Sequence, residues 1–593
     1  MRPIGFLALV AGMATASCSA GHGLGSSIPA AGGGSLSSSA AGRSTSAAAA
    51  AVAPPGWATT ATRAFNLAGA VDKGVLASNQ TLTVRVGLAL RNASELKNLV
   101  ASRQQIDPGS FNGTYAPTQA QVSAVTSYLT SHGFTSVTVE PNNLLISASG
   151  TAAQVAAAFD TTLHSFSQNG LNVYANTTPA YVPTSLSGIV VAVLGLNNAQ
   201  TMKPSPKLQP TACQVFGVSS PDQACLRFYD PATFQITYDA ANVPTGKNTA
   251  VAIMAEGDVS QAISYLRLNE QNFNLPHVPV NVVKVGLSST DTSGVTEWTL
   301  DMTYSSGMAG TLKAIYLYDT TSLTDSDIAL EYNKWVTQHL TKIGNSSFGG
   351  CEYGPYLDGS MLVDDEILLQ GAAQGQTMFA STGDSGGFCS VGLPNGAPGG
   401  APFVNYPAAS PYAVAVGGTD LFSNSDGTYK GENAWEAGGG GLSQFEYSPY
   451  WEATEQPVSG QGESFRGLPD VAMDASLETG AELWGGAATD GSCTPCVTGG
   501  TSLASPLAAG AYARMQSAHD NRLGFAAPLL YNNYVEHPTA GAPLTGPPPT
   551  EPMGGFHDIL TGSNGSYTAL PGYDYTTGLG SFDIGVMNAQ IGK

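Results

Sequence analysis

The stretch VTGGTSLASPLAAG, residues 497–510, combines a glycine turn with a run of small residues. Gly499 and Gly500 allow a sharp turn and a close approach of a substrate backbone. The small residues that follow predict a tightly packed helix, with Pro506 in its first turn, where a missing N–H costs little. Ser502 would then lie at the helix N-terminus, where backbone N–H groups favour developing negative charge. Two interpretations stay open from this stretch alone: Ser502 is a nucleophile, or it is the capping residue of the helix.

A nucleophilic serine needs a base, and the sequence offers a carboxylate pair more readily than a histidine. Glu297 and Asp301 lie four residues apart in SGVTEWTLDMTYSSGMAG, residues 293–310, so a helix would place them on one face. Two close carboxylates can share a proton, because each raises the pKa of the other. The alternative is a solvated acidic face. The chain has eight histidines, and none lies in a glycine-flanked setting of the kind expected for a catalytic base.

A third acidic candidate is Asp384, which lies in FASTGDSGG, residues 379–387. It follows a predicted strand and is flanked by glycines, so a loop would project it into a cleft. A carboxyl group that stays protonated can donate a hydrogen bond to an oxyanion. The alternative is an ordinary aspartate in a glycine-rich turn, a position that suits this residue type.

The charge composition excludes one broad class of function. The 593 residues include 22 Lys and Arg against 43 Asp and Glu, a net charge of −21, and only 11% are charged. A nucleic-acid binder would need a basic face, so that class is disfavoured. Because the charges are sparse and mostly acidic, the net charge shrinks as the pH falls toward the carboxylate pKa values. The composition therefore permits work in acid.

Composition and patterning divide the chain into five segments. The predicted segments are an export signal (1–18), a Gly/Ser/Ala-rich tether (19–60), a compact α+β region (61–200), a proline-rich linker (201–225) and a long region of buried strands and helices (226–593). The signal has Arg2 followed by an apolar run that is short for a spanning helix. The tether cannot bury a core.

The two folded regions differ in their pattern. The segment 61–200 alternates strands and helices in a way that fits a small ferredoxin-like sandwich. In the segment 226–593, short apolar runs of the buried-strand type predict a parallel sheet. These runs are AVAIMA (250–255), AIYLY (314–318), TMFAST (377–382) and AVAVGG (413–418).

The seven cysteines support an exported chain. Cys18 ends ATASC, which resembles a bacterial lipobox except that Thr15 stands where an aliphatic residue is usual. Cys18 is therefore either lipidated or discarded with the signal. The other six predict three disulfides, and the pairing of sequence neighbours is 213–225, 351–389 and 493–496.

The order of these motifs resembles the sedolisin family of serine-carboxyl peptidases, with kumamolisin-like features. Glu-x-x-x-Asp, then Gly-Asp-Ser-Gly, then Gly-Thr-Ser-x-x-x-Pro follow one another over a resemblance that covers about 78–593. The resemblance implies a subtilisin-like α/β fold preceded by an activation pro-domain (61–200). It also implies the roles of four residues: Ser502 as nucleophile, Glu297 as general base, Asp301 as its hydrogen-bonding support and Asp384 as an oxyanion-hole donor.

The resemblance also implies one structural Ca²⁺ ion near the C-terminus. The stretch FHDILTGSNGSYTALPGYDYTTGLGS, residues 556–581, is similar to the calcium loop of the family. The implied ligands are the side chains of Asp558 and Asp574 and the carbonyl oxygens of Ile559, Leu570 and Gly572. Relatives tend to have glycine at the position of Leu570, so that ligand depends on a loop conformation that tolerates a side chain. Without the resemblance, the two aspartates would be interpreted as solvated.

We therefore expect a secreted or surface-anchored, acid-acting endopeptidase made as a zymogen. Its expected partners are protein or peptide substrates and its own pro-domain as intramolecular inhibitor, and the chain is expected to be a monomer. Any membrane contact would come only through a lipid on Cys18. Two alternatives remain: a catalytically silent peptide-binding or surface homologue, and a conventional subtilase with a histidine base.

Overall fold

This computed structural model describes residues 52–65, 67, 69–204, 207–210, 228–387, 389, 403–455, 465–485, 495–537 and 554–592. The predicted export signal and most of the predicted tether lie outside these residues, as do Cys18, Cys213, Cys225 and Cys493. Among the helices of the described ranges, none combines the length and the apolar character needed to cross a membrane.

The C-terminal region is built on a mainly parallel sheet. Its strands, in spatial order, are Val280–Lys284, Ala314–Thr320, Ala250–Glu256, Ile343–Ser346, Thr377–Ser381, Ala413–Ser423 and Tyr429–Ala434, with Val471–Asp474 also paired to Ala413–Ser423. Only the pair made by Tyr429–Ala434 is antiparallel. All four apolar runs predicted as strands lie in this sheet. Their central residues are buried, as expected for strands covered on both faces.

Two long helices carry the residues of interest. We call Val295–Met308 the acidic helix and Thr501–Ala518 the serine helix. They pack against each other, and the serine helix also contacts several sheet strands. The other helices of this region are Pro231–Thr237, Ser260–Asn272, Asp325–Gln338, Tyr353–Asp358, Ser360–Ala373, Tyr450–Glu455, Ala526–Glu536 and Ile584–Gln590. Short strands outside the main sheet are Phe348–Cys351, Asn405–Tyr406, Gly441–Tyr447, Phe465–Leu468, Ala481–Leu483, Cys496–Gly499, Phe556–His557 and Ser581–Phe582.

The pro-domain has the predicted ferredoxin-like arrangement. Its antiparallel sheet has the spatial order Thr135–Val139, Leu145–Thr151, Thr81–Leu88 and Val190–Leu194. The main helices are Ala93–Ala101, Gln119–Ser131 and Ala152–Ala158, and the last two begin with capping boxes. Further elements are the strands Trp57–Thr59, Val71–Val75, Leu163–Gln168, Leu171–Asn176 and Tyr181–Pro183 and the short helix Phe111–Thr114. Because Trp57–Thr59 pairs with Tyr181–Pro183, the folded pro-domain starts before residue 60.

The proline-rich linker does not run free over the surface. Lys203–Pro204 pairs antiparallel with Phe348–Cys351, and Lys207–Pro210 pairs antiparallel with Cys496–Gly499. The first of these partner strands follows Ser347, and the second ends three residues before Ser502. The linker is therefore extended, as its prolines predict, but it is paired with the C-terminal region on both sides of the serine.

One predicted disulfide lies within the described residues. Cys351 and Cys389 are bonded across a separation of 38 residues. Cys496 is also disulfide-bonded. The predicted pairs 213–225 and 493–496 include cysteines outside the described ranges.

The interior contains carboxyl groups that favour the folded state in acid. Burial raises the pKa of Glu352 and Glu366 to about 7 and that of Asp365 to about 6. Because these folded-state values exceed those of the unfolded chain, the stability they contribute is complete below about pH 4 and is lost as the pH rises through about 6–7. Each such group is worth up to roughly 3 kcal/mol across that window.

We therefore expect the free energy of unfolding to fall between mild acid and neutral pH. Urea unfolding of the full chain, carried out in a Ser502→Ala background to prevent self-cleavage, should have a midpoint at about pH 5 above that at about pH 8. A midpoint that rises steadily with pH would contradict this assignment of the buried carboxyl groups.

Candidate active site

The serine helix begins one residue before Ser502. Thr501 is its first residue, and the preceding Gly500 has φ +99°, a left-handed value that suits glycine. No side chain caps the helix, so the interpretation of Ser502 as a cap is wrong. The placement of Pro506 in the first turn is also wrong, because it is the sixth helical residue. Since proline lacks an N–H, it cannot bond to the carbonyl of Ser502 four residues earlier.

The acidic helix is buried along its whole length. It crosses the serine helix closely at Gly510, where an added methyl group would lie 2.4 Å from the carbonyl oxygen of Ser305. Glu297 and Asp301 both have 0% exposed surface. The solvated-face alternative for this pair is therefore wrong, because the whole helix lies inside the fold.

The Ser502 hydroxyl lies beside the carboxyl group of Glu297. The hydroxyl lowers the pKa of Glu297, while its Oγ donates a hydrogen bond of 3.3 Å to the carbonyl of Ser347. Within the described ranges, no group forms a hydrogen bond of ordinary geometry with either oxygen of Glu297. Glu297 is thus a buried acceptor next to the serine hydroxyl and is not held by a structural donor.

Asp301 is held by a chain of polar side chains. The Ser347 hydroxyl donates to Asp301 Oδ1 at 2.6 Å, Asn345 Nδ2 donates to Ser347 Oγ at 2.9 Å, and the Ser505 hydroxyl donates to Asn345 Oδ1 at 2.7 Å. A direct hydrogen bond between Asp301 and Glu297, which the family resemblance implies, is not among those formed by the described residues. Instead, Asp301 acts on Glu297 through its charge.

The electrostatics of the pair follow from its burial. Burial raises the pKa of Glu297 well above its ordinary value, and the charges of Asp301 and Asp384 raise it further. Burial likewise raises the pKa of Asp301, against the opposing hydrogen bonds of Ser347 and Asn345. Two adjacent buried carboxyls do not both ionise readily, so the pair tends to retain one proton.

Asp384 lies at the start of the serine helix, where a loop after the strand Thr377–Ser381 brings it. Its Oδ1 accepts hydrogen bonds from the Thr501 N–H at 2.8 Å and the Thr501 hydroxyl at 2.9 Å. The Gly383 N–H donates to the same hydroxyl oxygen at 3.0 Å. Asp384 is half-buried, and its charge reaches Glu297. The four predicted residues therefore converge, and Asp384 is fixed by the helix rather than by a simple turn.

Histidines in the described part of the chain have contacts away from Ser502. Six of them have polar contacts, which are His132 with the Tyr128 carbonyl, His164 with Asp72, His277 with Glu270, His339 with Lys342, His519 with the Asn588 carbonyl and His537 with the Asn533 carbonyl. His557 stacks on Tyr429 with ring centroids 3.7 Å apart. None of these seven is positioned to take the Ser502 proton.

Three further polar residues of the site, Ser347, Asn345 and Ser505, were not predicted. Ser505 follows Ser502 by three residues, so it lies on the same helix face. Asn345 and Ser347 end one strand and begin the next turn, and their spacing to the acidic helix is not visible in the sequence. Only the position of Ser505 relative to Ser502 offers a signal.

The predicted calcium loop brings two carboxylates together. The Gly572 N–H donates to Asp558 Oδ2 at 3.0 Å, and the Leu570 N–H donates to Asp574 Oδ2 at 2.7 Å. Burial raises the pKa of Asp558 to about 6, and the charge of Asp574 contributes to that rise. The described residues contain no cluster of three or more His, Cys, Asp or Glu side chains fit to hold a metal, so any ion here would rely on backbone oxygens.

The backbone of this loop offers such oxygens. Within the described ranges, the carbonyls of Ile559, Leu570 and Gly572 accept no hydrogen bond. Leu570 has a negative φ, and its side chain is 51% exposed, so it points away without strain. The loop therefore tolerates a side chain at this position. An all-oxygen donor set of this kind fits a hard cation such as Ca²⁺.

Comparison with known proteins covers both folded regions. Residues 68–199 match the family model "Pro-kumamolisin, activation domain", and residues 288–535 match "Subtilase family". Sedolisin from Pseudomonas sp. is 35% identical over 576 residues, covering 90% of this chain and 92% of that protein. Kumamolisin from Bacillus sp. is 28% identical over 552 residues, covering 88% and 93%.

The solved structures give the same result. The structure of Pseudomonas sedolisin, a serine-carboxyl proteinase complexed with pseudo-iodotyrostatin, matches with a TM-score of 0.54 and 33% identity, over 62% of this chain and 98% of that chain. Together these matches confirm the predicted subtilisin-like α/β fold and the activation domain that precedes it.

Proposed function

The chain belongs to the sedolisin family and is a serine peptidase, and from that premise we propose that it is an exported, acid-acting endopeptidase made as a zymogen. The observation that carries the proposal is the Ser502 hydroxyl beside the buried Glu297, an acceptor not engaged by any described hydrogen-bond donor. Ser502, Glu297, Asp301 and Asp384 are the proposed catalytic residues.

The proposed reaction is acyl transfer through Ser502. Glu297 takes the hydroxyl proton as Ser502 Oγ forms a bond with the carbonyl carbon of the substrate. Glu297 then gives that proton to the leaving nitrogen as the C–N bond breaks. Water attacks the acyl-enzyme by the same proton transfers in reverse, and the acid product leaves. Asp301 remains neutral in this scheme, so only one negative charge is buried at a time.

Asp384 is the proposed donor to the oxyanion. Its Oδ1 accepts from Thr501, so the proton of its neutral form would lie on Oδ2. The second donor is the backbone N–H of Ser502, since first-turn N–H groups of a helix have no intrahelical acceptor. A donor carboxyl must stay protonated, and this requirement links activity to acid.

The zymogen part of the proposal rests on the linker. The strands Lys203–Pro204 and Lys207–Pro210 pair with chain segments on either side of Ser502, as an extended substrate would. The pro-domain itself is held by polar contacts, among them Arg85 with Asp327 at 2.8 Å and the Leu90 N–H with Glu366 at 3.1 Å. Substrate is thereby kept out until the linker is cut or displaced.

Self-cleavage of the full-length protein tests this proposal. The protein is expected to stay intact near neutral pH and to cut itself at about pH 4, where carboxyl donors are protonated. The first cut is expected between Pro204 and Lys207, at a rate independent of protein concentration because the linker belongs to the same chain. N-terminal sequencing locates the cut. A first cut outside residues 201–225, or no acid effect, would contradict the zymogen proposal.

We also propose one structural Ca²⁺ ion in the loop 556–581. Asp558 and Asp574 would hold it with the carbonyls of Ile559, Leu570 and Gly572. The ion would supply positive charge that offsets the two carboxylates and so fixes the loop. It has no proposed part in the acyl transfer.

Removal of calcium is expected to lower thermal stability. In the full-length Ser502→Ala chain at about pH 6, EGTA should lower Tm by about 5 °C, and excess Ca²⁺ but not Mg²⁺ should restore it. Asp574→Asn should make Tm insensitive to EGTA, whereas Asp426→Asn, in an exposed turn, should leave the sensitivity intact. A parent Tm that does not respond to EGTA would refute the calcium site.

Export follows from the predicted signal (1–18), and a lipid on Cys18 would make the protein surface-anchored. The silent-homologue alternative predicts no acid self-cleavage. The conventional-subtilase alternative predicts that a histidine variant, rather than a Glu297 variant, abolishes it.

A further inference from the structure

The linker strand Lys203–Pro204 lies in the substrate cleft. Lys203 pairs with Gly349 and Pro204 with Phe348. On the other side, the N–H of the buried Met202 donates to the carbonyl of Leu323 at 2.8 Å. The backbone around Lys203 is thus fixed between two segments of the peptidase region, as a substrate backbone would be.

Two carboxylates border the position that Lys203 takes. Glu256 ends the strand Ala250–Glu256, and its carboxylate accepts from the backbone N–H of Leu323, the residue whose carbonyl holds Met202. The chain around Asp291 packs against the next residue, Gly257, where an added methyl group would lie 2.3 Å from the Asp291 carbonyl oxygen.

The charge of Lys203 acts on both carboxylates. Lys203 lowers the pKa of Glu256 and that of Asp291, in each case against other influences. The acidic groups are therefore more than a surface cluster, because the chain itself seats a cation on them through a paired backbone strand. Glu256 is also next to the catalytic pair in space, since its carbonyl accepts from the indole N–H of Trp298 at 3.0 Å.

We propose that Glu256 and Asp291 form an acidic subsite of the substrate cleft that receives a basic side chain of the substrate, and that Lys203 fills this subsite in the zymogen. The inference rests on the proposed peptidase function, because it treats the linker as a substrate mimic. It adds a specificity: substrates with Lys or Arg at the position of Lys203 are preferred. Because the cut is expected between Pro204 and Lys207, that position lies two to four residues before the cleaved bond.

The other charged groups around the subsite leave it acidic when the linker departs. Asp319 adds negative charge near Glu256, but it is paired with Lys284. Glu331 is buried, and Glu256 contributes to raising its pKa. Neither group supplies a cation to the subsite, so the charge of Lys203 or of a substrate side chain is the complement available to it.

The preference should depend on pH. Burial and the charge of Asp291 raise the pKa of Glu256 to about 7, whereas hydrogen bonds from Ser293 lower the pKa of Asp291. Asp291 alone is therefore charged in mild acid, and both groups are charged as the pH rises past about 7. The hold on Lys203 weakens in acid, which is the direction needed for release of the linker.

Peptide cleavage by the acid-activated full-length protein tests the specificity. Peptides that differ only in Lys or Gln at one of the second to fourth positions before the cut are compared. One position should favour Lys by about three- to tenfold in kcat/KM, more at about pH 6 than at about pH 4. The combined change Glu256→Gln and Asp291→Asn should abolish that preference, and Asp258→Asn should leave it. No Lys preference, or one that survives the combined change, would overturn the inference.

A second measurement does not depend on peptidase activity. In the full-length Ser502→Ala chain near neutral pH, trypsin reports opening of the linker at Lys207–Leu208, because the Lys203–Pro204 bond resists trypsin. Lys203→Gln and the combined Glu256/Asp291 change should each speed this cut several-fold, and together they should add little further. Unchanged rates would overturn the inference. If the parent protein cleaves no peptide, the proposed function fails, while the trypsin rates still decide whether Lys203 is seated on these carboxylates.

Discussion

Replacing Ser502 by Ala is expected to leave the full-length chain uncut in acid and to lower peptidase activity by roughly five orders of magnitude. The reason is that the proposed acyl-enzyme forms through Ser502 Oγ. Serine-to-alanine removes that atom, while the helix that carries it stays packed against the acidic helix. Self-cleavage on gels and kcat/KM for a peptide measure the two effects.

Ser517→Ala is the matched control. It removes a hydroxyl from the same helix, at a position where Ser517 accepts from the Asn248 N–H far from the site. Activity should be unchanged there. Acid self-cleavage that persists in Ser502→Ala at the parent rate, in protein free of other proteases, would rule out Ser502 as the nucleophile.

Replacing Glu297 by Gln is expected to lower kcat/KM by a factor of about 10³ or more. Glutamine keeps the size of the side chain but cannot take the serine proton. The folded state should not lose stability, because the change removes a buried carboxyl group with no described hydrogen-bond partner and a costly charged form. A large loss of activity with an unchanged Tm would therefore identify a chemical role.

Two controls separate this role from burial alone and from a histidine base. Glu331→Gln changes an equally buried carboxyl in another helix, and His519→Gln changes the histidine that directly follows the serine helix. Both should keep most of the parent activity. Full activity in Glu297→Gln, or a collapse in a histidine variant, would favour the conventional-subtilase alternative.

Local patterns in the sequence predict much of the fold. The run AVAIMA became the strand Ala250–Glu256 because buried parallel strands select continuous apolar residues. The Thr118 and Thr151 capping boxes mark helix starts that are decided within four residues. The spacing of Glu297 and Asp301 needed only a helix to bring them to one face.

Features that depend on tertiary packing were not predictable in the same way. The helix start at Thr501, which makes Pro506 an interior residue, depends on the turn at Gly500. The partner of Asp301 is Ser347, 46 residues away, and nothing local distinguishes that serine from many others. The pairing of the linker with two strands of the peptidase region likewise joins residues that are distant in sequence.

The pH profile of kcat/KM for acid-activated full-length protein tests most directly whether a carboxyl pair replaces histidine as the base. Glu297 and Asp301 have raised pKa values and together retain one proton, and Asp384 must stay protonated to donate. We predict a bell-shaped profile with its maximum well below neutral pH, falling in stronger acid as the pair gains its second proton and at higher pH as Asp384 loses its own. A maximum at about pH 7–8, where a neutral histidine would serve as base, would contradict the mechanism.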